Sequence, residues 1–348
     1  MTAFAGGFGN DTSKRAAKQN KNSRRPKRGL SDLAPPVAST ESMSVQLDKW
    51  GLPPPTAEDI FPALPPGTEL IPARKSSTEH TLTEIRKALK DHFPLTLDRF
   101  DDNGVETSTL DGREPMRLRM LHQSPPVIAI DHFLTPDECL NVEHAAMPPS
   151  STPKHTEGEY HNEAVRVNSA TFSPLAQSKR TSTSWFCYYS QVPTLLAKAH
   201  HVLGILFPQM EEPQIVRYKT GEEFSWHYDE VPTPQLGNGG QRLATLLVYL
   251  NTVERGGGTV FRDLRTPDGS LLTMQPVQGS ALMFFPAYAD GRPDDRTLHK
   301  GEMAADEKRI VQMWIHERPY TAAVPMGNSQ EAAIEAIVRA SRDLCYTP

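Results

Sequence analysis

The chain has 348 residues, with 37 Lys and Arg against 42 Asp and Glu and a formal net charge of −5. That balance argues against nucleic acid or a membrane surface as the partner of the whole chain, and no apolar run approaches the roughly 20 residues a membrane helix needs. Three cysteines without CxxC spacing, Cys139, Cys187 and Cys345, exclude a disulfide framework or structural zinc site and favour a reducing compartment.

No apolar stretch follows a basic start, so no secretory leader is predicted. The expectation is a soluble intracellular protein, with organelle import compatible with the acid-poor start. Residues 1–78 read as a disordered extension. Within them KRAAKQNKNSRRPKR (14–28) carries eight positive charges and no acid, and proline clusters follow at 35–36, 53–55 and 65–66. Such a segment cannot bury enough apolar area to offset its chain entropy. The basic run is compatible with a localisation patch, a nucleic-acid arm, a transit peptide or a solvated tail.

Residues 79–114 read as a helical lead-in. Thr81 and Glu84 fit a capping box, and Leu82, Ile85, Leu89 and Phe93 recur at helical spacing. Pro94 is expected to end the helix. PPVIAIDHFL (125–134) reads as a strand and TPDECLNVEHAA (135–146) as a helix with Thr135 as N-cap and Glu138 completing the box. QVPTLLAKAHHVLGILF (191–207) reads as a second helix. Strand-like runs then follow closely: QIVRYKT, FSWHYDE, RLATLLVYL, GTVF, SLLTMQP, SALMFFP and KRIVQMWIH. Turn signals separate them at GNGG (237–240), RGGG (255–258) and PDG (267–269). This order predicts an α+β domain over 115–322 whose strands close into a sandwich or barrel. Residues 323–348 hold a last helix, 328–344, capped by Asn328 and Glu331.

FSWHYDE carries the first chemical signal. As a strand it places Phe224, Trp226 and Tyr228 on one face and Ser225, His227 and Asp229 on the other. An isolated His-x-Asp is equally a polar strand face. A second histidine, His299, stands 70 residues after Asp229. In KRIVQMWIH, Lys308, Ile310, Gln312, Trp314 and His316 share one face. Two histidines and a carboxylate on one side of an iron leave neighbouring positions open for a bidentate co-substrate and O2. A dicarboxylate co-substrate then needs a cation at its far end, and Lys308 is available.

Residues 115–318 resemble the prolyl 4-hydroxylase family of Fe(II)/2-oxoglutarate dioxygenases. The resemblance rests on RTSTSWF (180–186), VRYKTGEEFSWHYD (216–229), GGQRLATLLVYLNTVERGGGTVF (239–261), His299 and KRIVQMWIHER (308–318). It implies a double-stranded β-helix (jelly roll) with flanking helices. It implies His227, Asp229 and His299 as iron ligands, and Lys308, Thr259 and Tyr218 as 2-oxoglutarate contacts with Trp314 beside them. Arg242 and His316 are implied on the peptide side, and Arg180 on a mobile loop that closes over the substrate. One departure concerns the spacing: eight residues separate His299 from Lys308, where the family usually has nine. Arg309 is the alternative cation, but a one-residue slip sends it to the opposite strand face.

The activity the resemblance implies is hydroxylation at C4 of proline in a peptide or protein, coupled to decarboxylation of 2-oxoglutarate to succinate and CO2, with ascorbate as the expected reductant. The presence of Asp229 argues for hydroxylation, because halogenating relatives leave that ligand position to chloride. A related enzyme acting on a free amino acid or other small molecule is the alternative. A non-enzymatic module whose basic tail contacts nucleic acid or an acidic partner is the third reading.

Overall fold

The computed structural model describes residues 80–108, 112–145, 165–167, 181–322 and 330–346, with only the backbone described for 165–167, 330 and 332. They fall within the second of the two parts into which the chain divides, residues 62–348. The basic extension, Arg180 and the Asn328 cap lie outside the described residues.

Helix α1 spans Leu82–Ala88, and Thr81 and Glu84 make the expected capping box. It stops well short of Pro94. Proline excludes helical geometry from the residue before it and clashes with the carbonyl four residues back, so the ladder cannot run through 90–93. Leu89 and Phe93 stay buried nonetheless, each worth about 1.5–3 kcal/mol relative to exposure. Strands β1 (Arg117–Gln123) and β2 (Pro126–Asp131) form a hairpin, followed by helix α2 (Pro136–His144) with the Thr135–Glu138 box. Helix α3 covers Pro193–Leu203, shorter than 191–207, because Gly204 closes it in the left-handed conformation at φ 75°. A Cβ there would meet Thr96 Oγ1 at 2.0 Å. The C-terminal helix, α4, runs Gln330–Asp343.

The other strands are β3 (Val165–Val167), β4 (Thr183–Phe186), β5 (Gln214–Tyr218), β6 (Phe224–His227), β7 (Arg242–Tyr249) and β8 (Thr259–Arg265), then β9 (Leu271–Met274), β10 (Ala281–Phe284), β11 (His299–Gly301) and β12 (Lys308–His316). Every pairing is antiparallel. An eight-stranded sheet runs β1-β2-β10-β7-β12-β5-β4-β3, and a four-stranded sheet runs β6-β11-β8-β9. From β5 to β12 the chain alternates between the two sheets except at the β8–β9 pair, with β5, β7, β10 and β12 in one and β6, β8, β9 and β11 in the other. That alternation is a double-stranded β-helix.

The large sheet is covered on both faces, which is why its strands read as unbroken apolar runs rather than strict alternation. On β2, β7, β10 and β12, Val127, Ala129, Leu247, Tyr249, Leu282, Phe284 and Ile310 join the cluster between the sheets. Their neighbours Ile128, Ile130, Leu246, Val248, Ala281, Met283, Val311 and Met313 join the cluster that also holds residues of all four helices. The period of two survives as a choice between two buried environments. No helix among the described residues is long and apolar enough to cross a membrane.

Candidate active site

Two β-bulges aim the site residues. Between β6 and β11, His227 lies opposite His299 while Phe224 lies opposite Gly301, three steps against two. The extra residue breaks the alternation expected for FSWHYDE. Phe224 therefore shares the face of His227, and its ring stacks on the imidazole at 3.5 Å between centroids and 14°. The second bulge lies in β7, where Ala244 faces Ile315 but Arg242 faces His316. Without it Arg242 would point with Ala244 toward the helices. With it, the guanidinium lies over the Trp314 ring at 3.9 Å and donates to the Asp229 carbonyl at 3.3 Å.

The sheet register brings His227 and His299 together, with ring centroids 4.2 Å apart. Asp229 lies just past the end of β6, its Oδ1 3.7 Å from His227 Nε2 and its Oδ2 3.8 Å from His299 Nε2. The three ligand atoms all lie within 4.8 Å of one another. Each histidine Nδ1 faces a carbonyl, which only accepts: Ser225 O at 2.8 Å from His227 and Thr297 O at 3.0 Å from His299. Nδ1 must therefore carry a proton, which leaves each Nε2 as the nitrogen that can offer a lone pair to a metal at the shared point. Burial pushes the Asp229 carboxyl upward, but His299, His227 and Arg242, with the Thr245 hydroxyl, more than offset it and hold the group below its ordinary value. A carboxylate and two imidazoles whose Nε2 atoms face one point make a donor set that fits iron(II).

A second row of residues lies one step along the four-stranded sheet. Gly301 pairs with Phe224 on one side and Thr259 on the other. It shares a face with His299 roughly 7 Å along the strand. A Cβ on Gly301 would come within 3.6 Å of Tyr218 Oη and 3.7 Å of Lys308 Nζ, so these groups lean over the bare backbone. Lys308 is 1 % exposed and lies 5.1 Å from the Tyr218 ring centroid and 5.9 Å from that of Tyr249. Burial pushes its ammonium down to about 7, opposed only by the charge of Glu302, and Glu302 itself pairs with Lys300 at 3.7 Å. A buried cation so weakly compensated suits an anionic group such as a carboxylate. Arg309 lies on the opposite face and pairs with Glu143 at 2.7 Å, so of the two cations it is Lys308 that lies over Gly301.

The RGGG stretch is a close approach rather than a loose turn. Gly256 has φ 67°, and a Cβ on it would sit 2.4 Å from the Met303 carbonyl oxygen. Gly256→Ala is therefore expected to lower stability by about 1–3 kcal/mol, from the left-handed backbone and the clash together. A matching rise in KM for 2-oxoglutarate is expected as Thr259 shifts, and thermal melts and initial rates check both.

Arg242, Trp314 and His316 do converge, through a residue the sequence reading missed. Glu211 takes a bidentate contact from Arg242 at 2.9 and 2.7 Å and a further one from His316 Nε2 at 2.9 Å. His316 is buried, so it reaches the site through Glu211 rather than facing an open groove. Thr245 and Tyr249 were also missed, although both lie on the inward period of β7. Thr245 donates to Asp229 Oδ2 at 2.8 Å, and the Tyr249 hydroxyl donates to Thr259 Oγ1 at 2.8 Å. Thr245→Val should weaken metal binding about tenfold by freeing the carboxylate, as titration of the metal-free protein will measure. A cavity of about 310 Å³ between α3 and α4, bordered by Leu196, Phe207, Ile337 and Val338, contains none of the expected site residues.

Residues 213–316 match the family model of the 2OG-Fe(II) oxygenase superfamily. That match marks residues 213–316 as a 2OG-Fe(II) oxygenase domain, in keeping with the β-helix topology and the His-Asp-His cluster. Among curated proteins it is similar to probable prolyl 4-hydroxylase 4 of Arabidopsis thaliana, 28% identical over 235 residues, covering 62% of this chain and 75% of that one. It is also similar to human prolyl 4-hydroxylase subunit alpha-3, 25% identical over 228 residues, covering 63% of this chain and 38% of that one. A solved neighbour is the viral collagen prolyl hydroxylase of Paramecium Bursaria Chlorella virus-1 in complex with 2OG, with a TM-score of 0.34 at 26% identity, covering 54% of this chain and 94% of that one. Around that domain the chain is similar to prolyl 4-hydroxylases at 25–28% identity.

Proposed function

We propose that this enzyme hydroxylates proline residues of a peptide or protein at C4. In this reading His227, Asp229 and His299 hold the iron, and Lys308, Thr259 and Tyr218 hold 2-oxoglutarate. Arg242, steadied by Glu211, His316 and Trp314, forms the wall toward the peptide. The observation that carries the reading is the pair of adjacent rows on β6, β11 and β8: metal-type donors in one, a buried lysine over a bare glycine in the next. The names of the curated relatives support proline as the target.

Iron(II), with 2-oxoglutarate and O2, supplies the oxidising power to turn C–H into C–OH while 2-oxoglutarate leaves as succinate and CO2. The protein's part is orientation and exclusion of water. The Ser225 and Thr297 carbonyls fix the two imidazoles, Lys308 anchors the far carboxylate, and Phe224, Phe261 and Phe284 pack against the histidine rings. Ascorbate, as the agent that keeps iron reduced, belongs to the same proposal. The cysteines are free, and the buried thiols of Cys139 and Cys187 are pushed up to about 12, chiefly by burial.

The test is a proline-containing peptide library incubated with iron(II), 2-oxoglutarate and ascorbate, then read by mass spectrometry. One added oxygen on particular prolines, absent with Asp229→Ala, is the expected result. Succinate formed only when free amino acids replace the peptides would move the substrate to a small molecule.

A further inference from the structure

We infer that His92, carried by the lead-in segment after α1, is a positioning residue for the metal centre, acting on His299 through Asp294 and the turn 295–297. The inference rests on the metal-centre reading. It concerns a segment outside the β-helix, and the connection can be followed atom by atom. His92 is 5 % exposed, its ring stacked on Tyr288 at 4.8 Å and 29°. Neither ring nitrogen has a hydrogen-bond partner, and Nε2 faces Asp294 Oδ2 at 3.6 Å, just beyond hydrogen-bond range. The segment is tied to the same loop through its backbone, where Ala289 N–H donates to the Asp91 carbonyl at 3.0 Å.

Asp294 is 2 % exposed and needs partners on every side. Arg296 supplies Nε at 2.8 Å, Nη2 at 2.6 Å and its backbone N–H at 3.2 Å. The same guanidinium donates to the Tyr288 hydroxyl at 2.9 Å and to Ser124 Oγ at 3.1 Å. His92 closes the remaining side, wedged between the carboxylate and the Tyr288 ring. The Asp294 carbonyl then receives the Thr297 N–H at 3.0 Å and the Thr297 hydroxyl at 2.8 Å. The Thr297 carbonyl is the acceptor that sets the ring of His299. The Tyr228 hydroxyl donates to the Asp295 carbonyl at 3.2 Å and braces the same turn from the His227 side. A shift of Asp294 therefore reaches the ligand through two hydrogen-bonded links, with no flexible side chain between.

The test uses the full chain stripped of metal and titrated with cobalt(II), whose visible absorption reports both affinity and ligand geometry. His92→Phe keeps the burial and the stack on Tyr288 but removes Nε2, and Asp294→Asn weakens the same link from the other side. Each should weaken cobalt binding about tenfold and alter the absorption bands, and the double variant should be no worse than the stronger single one, because both act through one connection. Leu89→Ala, in the same segment and equally buried, is the control and should lower the melting temperature while leaving cobalt affinity unchanged. Wild-type affinity in His92→Phe, or an equal loss in Leu89→Ala, would overturn the inference while leaving the metal centre standing. Failure of the wild type to bind cobalt would instead remove the metal-centre reading, and this inference with it.

Discussion

Replacing His299 with alanine should abolish metal binding and lower succinate formation by on the order of 10³-fold or more. A bound cation of this kind contributes several kcal/mol, and each ~1.4 kcal/mol is a factor of ten in rate. The fold should survive. His299 lies in a short three-residue strand, and the rings of Phe261 and Phe284 beside it belong to a cluster that persists without the imidazole. Coupled succinate assays and a metal titration check the two halves separately. A variant that still binds metal with wild-type affinity would remove His299 from the ligand set.

Lys308 should show opposite effects on stability and activity. Its ammonium is buried with one indirect counter-charge, so without co-substrate it is a cost to folding. Lys308→Met, close in volume and uncharged, is expected to stabilise the co-substrate-free protein by about 1–3 kcal/mol. The same change should raise KM for 2-oxoglutarate by about a hundredfold or more, since losing one partner of a buried charge pair costs about 2–5 kcal/mol. The pH dependence follows from the downward shift, from 10.5 to about 7. Below about 7 the lysine is charged in both folded and unfolded chains, and the burial cost is fully present. Between about 7 and 10.5 the unfolded chain holds a proton the folded one has shed, so wild-type stability rises with pH relative to Lys308→Met. Binding a carboxylate reverses the preference. Above about 7 the pocket must take up a proton to bind 2-oxoglutarate, and KM should climb toward tenfold per pH unit. Denaturant melts and steady-state rates across that range test both signs, and a flat KM would show that Lys308 does not meet the co-substrate as a cation.

Local patterning made most of the elements legible from the residues alone. The capping boxes at Thr81 and Thr135 form as expected because they depend on residues three apart. The apolar runs became β2, β7, β10 and β12, and the period of two in KRIVQMWIH already put Lys308 and Arg309 on opposite faces. The metal-type donors that converge were readable too, since His-x-Asp and a distant histidine need only the right chemistry in the right order. Short elements were not readable: β11 is three residues long and is held by its neighbours in the sheet rather than by propensity. Neither were the two bulges. An extra residue in β6 or β7 leaves no mark in composition, yet it turns Phe224 onto His227 and Arg242 toward Trp314 and Asp229. Glu211 and Thr245 were invisible for a related reason: their value lies in partners 31 and 16 residues away that only chain packing brings within reach. Side-chain chemistry and period are local properties that a sequence carries openly. Which face a residue finally presents depends on register across strands, and that is settled by the whole sheet closing at once.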